Sequence, residues 1–213
     1  GLFLESLNNG GWDRPEYIRS GEQMLELVEL EPFQKGWLAA TWPDQAGFFG
    51  DGKCAMAFMG NWMYGAQASN SASGEGLADA NMGMFNMPIT SGGMGDSGDT
   101  LGGINGWLFS STASDAAVEL MMHYVSLDIQ KEDASNGAYI PIVKGADGSL
   151  TNPFLQQVAK NISNSEYHQI FYDQFLGADI GRVVNDVSTD LAAGIISAEE
   201  ATQAVQEAWE FNQ

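Results

Sequence analysis

The sequence holds one cysteine, Cys54, in 213 residues, so no intramolecular disulfide can form. Histidine is almost as scarce. His123 and His168 have no cysteine or second histidine at zinc-ligand spacing, and no metal site is expected. Basic residues number 8 against 28 acidic ones, a formal net charge of -20 at pH 7. That leaves no positive footprint to neutralise phosphates, and repulsion disfavours anionic membranes, so nucleic acid is not an expected partner. No apolar run approaches the roughly 20 residues that cross a bilayer. The longest candidate, Cys54 to Met59, is strand-sized. A Gly-x-Ser-x-Gly nucleophile elbow is absent. The glycine-rich stretch lacks the Gly-Lys-Ser/Thr ending of a phosphate loop, and no cofactor is expected.

What is present suits a globular core. Apolar residues make up 44% and aromatics 11%, too much for an intrinsically disordered chain. The carboxylates must then lie at the surface, where they serve solubility, reflect a saline environment or attract cations.

Local pattern points to an α/β chain rich in helix. Asp13-Arg14-Pro15-Glu16 reads as a capped helix start, followed by apolar Ile18, Met24, Leu25, Leu27, Val28 and Leu30 and closed by Pro32. Lys53 to Met59 is apolar on both alternating faces, as in a strand covered on both sides of a sheet. A short helix over Trp62 to Gln67, a loop over Ala68 to Gly76 and a strand over Asn81 to Met87 follow. Seven glycines lie between Thr90 and Gly106, marking a connection and not a core element. Ile104 to Ser110 reads as a strand, and Ser114-Asp115 caps a helix with Val118, Met121, Met122 and Val125 on one face. Helical spacing recurs at Pro153 to Ile162, Tyr167 to Leu176, Ile180 to Ala193 and Ser197 to Phe211. The last of these opens with the capping box Ser197-Ala198-Glu199-Glu200, and Gly194 stands at a left-handed cap position.

Candidate chemistry is sparse. His123 reads as a structural imidazole within a helix and His168 as a helix-surface residue. Among 28 acidic residues no carboxylate pair stands out for glycoside hydrolysis. The unusual feature is tryptophan beside glycine: Trp12, Trp37, Trp62 and Trp107 each follow a glycine directly or one residue later. Flat aromatic faces stack on pyranose rings while Asn, Asp and Gln read the hydroxyls, which suits a sugar cleft. Core packing is the competing account for each. Gly60-Asn61-Trp62, at an expected strand end, is the most suggestive case.

The run Phe48 to Trp62, FFGDGKCAMAFMGNW, resembles the F-x-x-G-K-A-A-M-x-x-x-G-x-W signature of family 1 extracellular solute-binding proteins, the maltose-binding-like components of carbohydrate ABC importers. Gly102-Gly103-Ile104-Asn105-Gly106-Trp107, Gly137-Ala138-Tyr139-Ile140-Pro141, and Tyr172 to Leu176 with Leu191 to Gly194 and Ser197 to Ala201 resemble further family blocks in the same order. Gly10-Gly11-Trp12 and Pro32 to Gly36 resemble a branch that binds xylose or small oligosaccharides.

This resemblance implies the helix-rich C-terminal lobe of a two-lobed, type II periplasmic binding protein, with most of the N-terminal lobe outside these residues. Residues 1-88 and 141-213 would build the C-terminal lobe, and residues 89-140 would form the hinge crossing and a strand and helix of the other lobe. The implied function is sugar capture for import, without turnover: the protein is not an enzyme. A carbohydrate-active enzyme fragment and a non-transport interaction module stay open. Carried onto this chain, the pattern makes Trp62 the stacking aromatic, with Asn61, Gly103, Asn105, Phe171, Tyr172 and Trp12 as further ligand-binding residues. Relatives often have Asp where this chain has Asn105. The implied partners are a sugar and the membrane subunits of an ABC permease. The protein is expected as a monomer, secreted in bacterial fashion to the periplasm or cell exterior, with or without a lipid anchor.

Overall fold

The computed structural model describes residues 2–93, 95–103, 105–137 and 139–213. Its helices, in chain order, are α1 (Leu2–Asn9), α2 (Pro15–Val28), α3 (Trp42–Gly50), α4 (Met63–Asn70), α5 (Asp115–Tyr124), α6 (Leu127–Ser135), α7 (Pro153–Asn164), α8 (Tyr172–Phe175), α9 (Gly177–Ala192) and α10 (Ala198–Phe211). Two short strands, β1 (Thr100–Gly102) and β2 (His168–Ile170), pair as a small parallel sheet. The chain is thus helix-rich, with a minor α/β element.

The fold divides into two compact units, one of residues up to 40 with 170–213, the other of residues 41–169.

In the first unit, α9 sets Ile180, Val183, Val184, Val187 and Leu191 at helical spacing on one face. Ile180 and Val205 of α10 close with Phe3 and Trp12 into the buried core. Gly21 lets α2 approach α10, for a Cβ there would come within 2.8 Å of the Ala198 Cβ. The Gly10-Gly11 turn has φ values of 73° and 86°, left-handed geometry that glycine adopts without steric cost. It delivers the N–H groups of Gly11 and Trp12 to Gln206 Oε1 at 2.8 and 2.9 Å, tying the end of α1 to α10.

Capping explains where several helices begin. Ser197 Oγ accepts from Glu200 N and Glu200 Oε2 accepts from Ser197 N, the reciprocal box expected for α10. Gly194 has φ 67°, as its cap position requires. Ser114 caps α5 by accepting from Ala117 N. The start of α2 differs from expectation: Arg14 is the N-cap, with no side-chain capping bond, so Asp13 stands one residue too early to cap. The helix also ends at Val28, before Pro32, because a residue preceding proline is disfavoured in α geometry, and Glu31 turns to φ 51°.

In the second unit, α3 opens on the Thr41–Asp44 capping box and packs on α4. Gly47 and Gly50 make that approach possible, since a Cβ on either would overlap the carbonyl oxygens of Asn70 and Gln67. A second core cluster joins Ala134, Leu150 and Leu155 with Ile140 and Ala159.

Three expected strands are not formed. Residues 53–59 and 81–87 lie outside strands, as do 105–110; Ile104, Met94 and Ala138 lie outside the described residues. Instead of being covered on two faces, Met56 is 72% and Phe58 79% exposed. A strand holds its shape only against partners, and none of the described residues pair with these segments. The helix expected over Tyr167 to Leu176 is replaced by β2, a break at Phe171 and the single turn of α8.

Candidate functional site

The seven expected ligand-binding residues fall into both units and are taken unit by unit. In the second unit, Gly60-Asn61-Trp62 forms the turn into α4, held by Met63 N donating to Gly60 O at 3.0 Å and Tyr64 N donating to Asn61 O at 3.3 Å. The Trp62 indole folds back over Gly60, and a Cβ at that position would overlap the ring. Glycine two residues before the tryptophan lets the ring lie in this position, and Trp62 keeps 44% of its surface exposed. Asn61 is half-buried beside it. Gly103 and Asn105 lie after β1 and are exposed.

The loop that follows α4 is fixed by Gln67, a buried residue with no special mark in the sequence. Its Oε1 accepts from Leu77 N at 2.7 Å, and its Nε2 donates to Tyr64 O at 3.3 Å. Asp51 accepts from Ala72 N at 2.8 Å and from Lys53 Nζ at 2.9 Å. The Ala72 N–H first, and the Lys53 ammonium second, hold the Asp51 carboxyl below its ordinary pKa.

A second aromatic grouping has Trp107 edge-on to Tyr124, with ring centroids 6.0 Å apart, and Tyr124 6.5 Å from Tyr139. Trp107 was marked by its glycine neighbour; its partners were not. Tyr139 accepts from buried Gln130 Nε2 at 2.6 Å and donates to Asp133 Oδ2 at 2.5 Å. Burial, then the Asp133 bond, pushes the Tyr139 hydroxyl well above its usual pKa. His123, expected as a structural imidazole within a helix, is exposed on the last turn of α5. His168 belongs to β2, not to a helix, and its Nδ1 lies 2.8 Å from Thr100 Oγ1 across the small sheet.

In the first unit, Trp12 is a core residue, 3% exposed, edge-on to Phe3 at 5.6 Å and to Tyr172 at 6.2 Å. Here packing, the competing account, describes its place. Tyr172 stacks on Phe3 at 4.3 Å, and Phe171 caps α8; both are half-buried. Two surface cavities of about 330 and 400 Å³ lie on this unit. The first is lined by Leu7, Phe175, Asp179 and Trp209 among others, the second by Asp13, Glu199, Glu207 and Glu210 among others. None of the seven expected residues lines either one. Among the described residues no group of three or more His, Cys, Asp or Glu is placed to hold a metal. No described helix is long and apolar enough to cross a membrane.

These features define a helix-rich α/β chain of two compact units. The same fold is found in a solved chain from a study titled as insights into xylan utilization by the thermophilic bacterium Caldanaerobius polysaccharolyticus. The two superpose with a TM-score of 0.78 at 20% identity, over 97% of this chain. This chain spans 53% of that one. No family model matches the sequence, and no curated protein sequence matches it.

Proposed function

We propose that this chain is part of a carbohydrate-binding protein that holds a sugar for import and does not turn it over. The observation that carries the reading is the fold likeness over 97% of the chain to a protein studied in xylan utilization. The exposed Trp62 at the turn into α4 supports it, because an indole face beside Asn61 is suited to a pyranose ring and its hydroxyls. In this reading the parent is a two-lobed member of the family 1 solute-binding proteins. A sugar built of xylose units bridges the lobes of that parent, with Gly103 and Asn105 as further contacts from the unit that carries Trp62. Ligand favours the closed form by its greater affinity for it, and the closed form docks on an ABC permease outside the cytoplasm. A chain that spans 53% of its structural neighbour supplies only part of such a cleft.

Calorimetry with xylo-oligosaccharides, on these 213 residues and on the longer parent, tests each part separately. Expected are binding by the parent, weak or no binding by this chain alone, and a loss of parent affinity in Trp62→Ala. Tight binding by the 213 residues alone removes the two-lobed part of the reading. No binding of any sugar by the parent removes the carbohydrate reading, and release of shortened oligosaccharides would replace binding with catalysis.

A further inference from the structure

We propose that Asn105 is a site of spontaneous deamidation, singled out by local structure from the other two Asn-Gly pairs of the chain. This goes beyond sugar binding and does not depend on it. The pairs are Asn9-Gly10, Asn105-Gly106 and Asn136-Gly137. In each the following residue lacks a Cβ, which leaves the next amide nitrogen open to the asparagine side chain.

The reaction needs only water. The Gly106 amide nitrogen gives up its proton and attacks Asn105 Cγ. A C–N bond forms, the Cγ–Nδ2 bond breaks, and the side-chain nitrogen leaves as ammonia, closing a five-membered succinimide. Water opens that ring at one carbonyl or the other, leaving aspartate or isoaspartate. Ammonia is exchanged for water and no electrons are transferred.

Ring closure requires an amide nitrogen that is not held and a backbone free to bring it onto Cγ. At Asn9-Gly10 neither holds: Asn9 ends α1, Gly10 is buried against Trp209, and its N–H donates to Ser6 O at 2.9 Å. At Asn136-Gly137 the chain is fixed at the end of α6, with Asn136 N donating to Glu132 O at 3.0 Å and Gly137 N to Ala134 O at 3.1 Å. Asn105 and Gly106 are both exposed, lie outside helix and strand, and carry no hydrogen bond to the described residues. A Cβ built on Gly106 meets nothing within 4 Å. The product adds a negative charge beside the exposed Trp107, and the isoaspartate form lengthens the main chain there by one methylene.

Peptide mapping by mass spectrometry, after incubating the folded chain at mildly alkaline pH, reads the three sites at once. Expected is conversion at Asn105 at least about tenfold faster than at Asn9 and Asn136, which must first open locally. In urea the three rates converge, since all three are followed by glycine. Gly106→Ala slows conversion at position 105 alone, in a variant whose added methyl has open space. Equal rates in the folded chain, the same advantage for Asn105 in urea, or no slowing in Gly106→Ala would each overturn the proposal.

Discussion

Glycine does two opposite jobs within twenty residues of this chain, and the surroundings of each Cα separate them. At Gly50 an added Cβ would overlap the Gln67 carbonyl oxygen, so Gly50→Ala forces α3 away from α4. An overpacked contact of this kind costs about 1–3 kcal/mol. At Gly65, within α4, a Cβ meets nothing within 4 Å, and Gly65→Ala gains about 0.5–1 kcal/mol of helix stability. Urea denaturation of the two variants should shift in opposite directions. Between them, Asp51 gives a pH test. Its folded-state pKa is lowered, so its contribution is present above the unfolded value of about 3.9 and is lost as pH falls through the lower folded value. Asp51→Asn should be less stable than the parent at neutral pH, and the two urea midpoints should approach each other only in strongly acid solution. The tight turn at Gly60 and Trp62 was legible as a motif. That its glycine makes room for the indole could be seen only with the ring in place.

At the scale of elements, capping chemistry is legible at α5 and α10, where both partners lie within four residues of each other. Ser197→Ala removes the acceptor for Glu200 N and should cost about 1 kcal/mol. Asp13→Ala, at a position that resembles a cap in sequence but precedes the Arg14 N-cap, should change stability by less than about 0.5 kcal/mol. Thermal denaturation of the pair distinguishes a working cap from an apparent one. The helices over Pro153–Asn164, Gly177–Ala192 and Ala198–Phe211 are legible from their helical spacing, and only the last also from a start signal, since Gly177–Ala192 opens on Leu176 with no side-chain capping bond. Helix α3 was not, because two of its nine residues are the glycines that fit it to α4, and they break any apolar periodicity. The segments 53–59, 81–87 and 105–110 carry strand-like composition, yet composition supplies no partner. Pairing is non-local: β2 stands where the spacing predicts a helix, and Tyr167 O just before it accepts from Thr100 N of β1.

Across the whole molecule those same segments carry much of the exposed apolar surface: Met56, Phe58, Phe85, Met87 and Leu108, the last 99% exposed. Large exposed apolar residues in groups mark surfaces that another body covers, or that aggregate when nothing does. Hydrogen exchange gives this a direct measure. In the 213-residue chain, peptides spanning residues 55–59, 83–87 and 105–110 should exchange close to the rate of an unfolded peptide. Those from the interior of α9 and α10 should be protected by packing against one another and against α2. Strong protection of the three segments would mean that they are paired, contrary to their backbone geometry here. The proposed two-lobed parent makes a further demand on the same experiment. If strands outside these residues complete the sheet, the three segments become protected in the longer protein while α9 and α10 change little. Unchanged exchange there would leave the strand-like composition of 53–59 without a structural role and would count against the two-lobed reading, whatever the sugar titrations show.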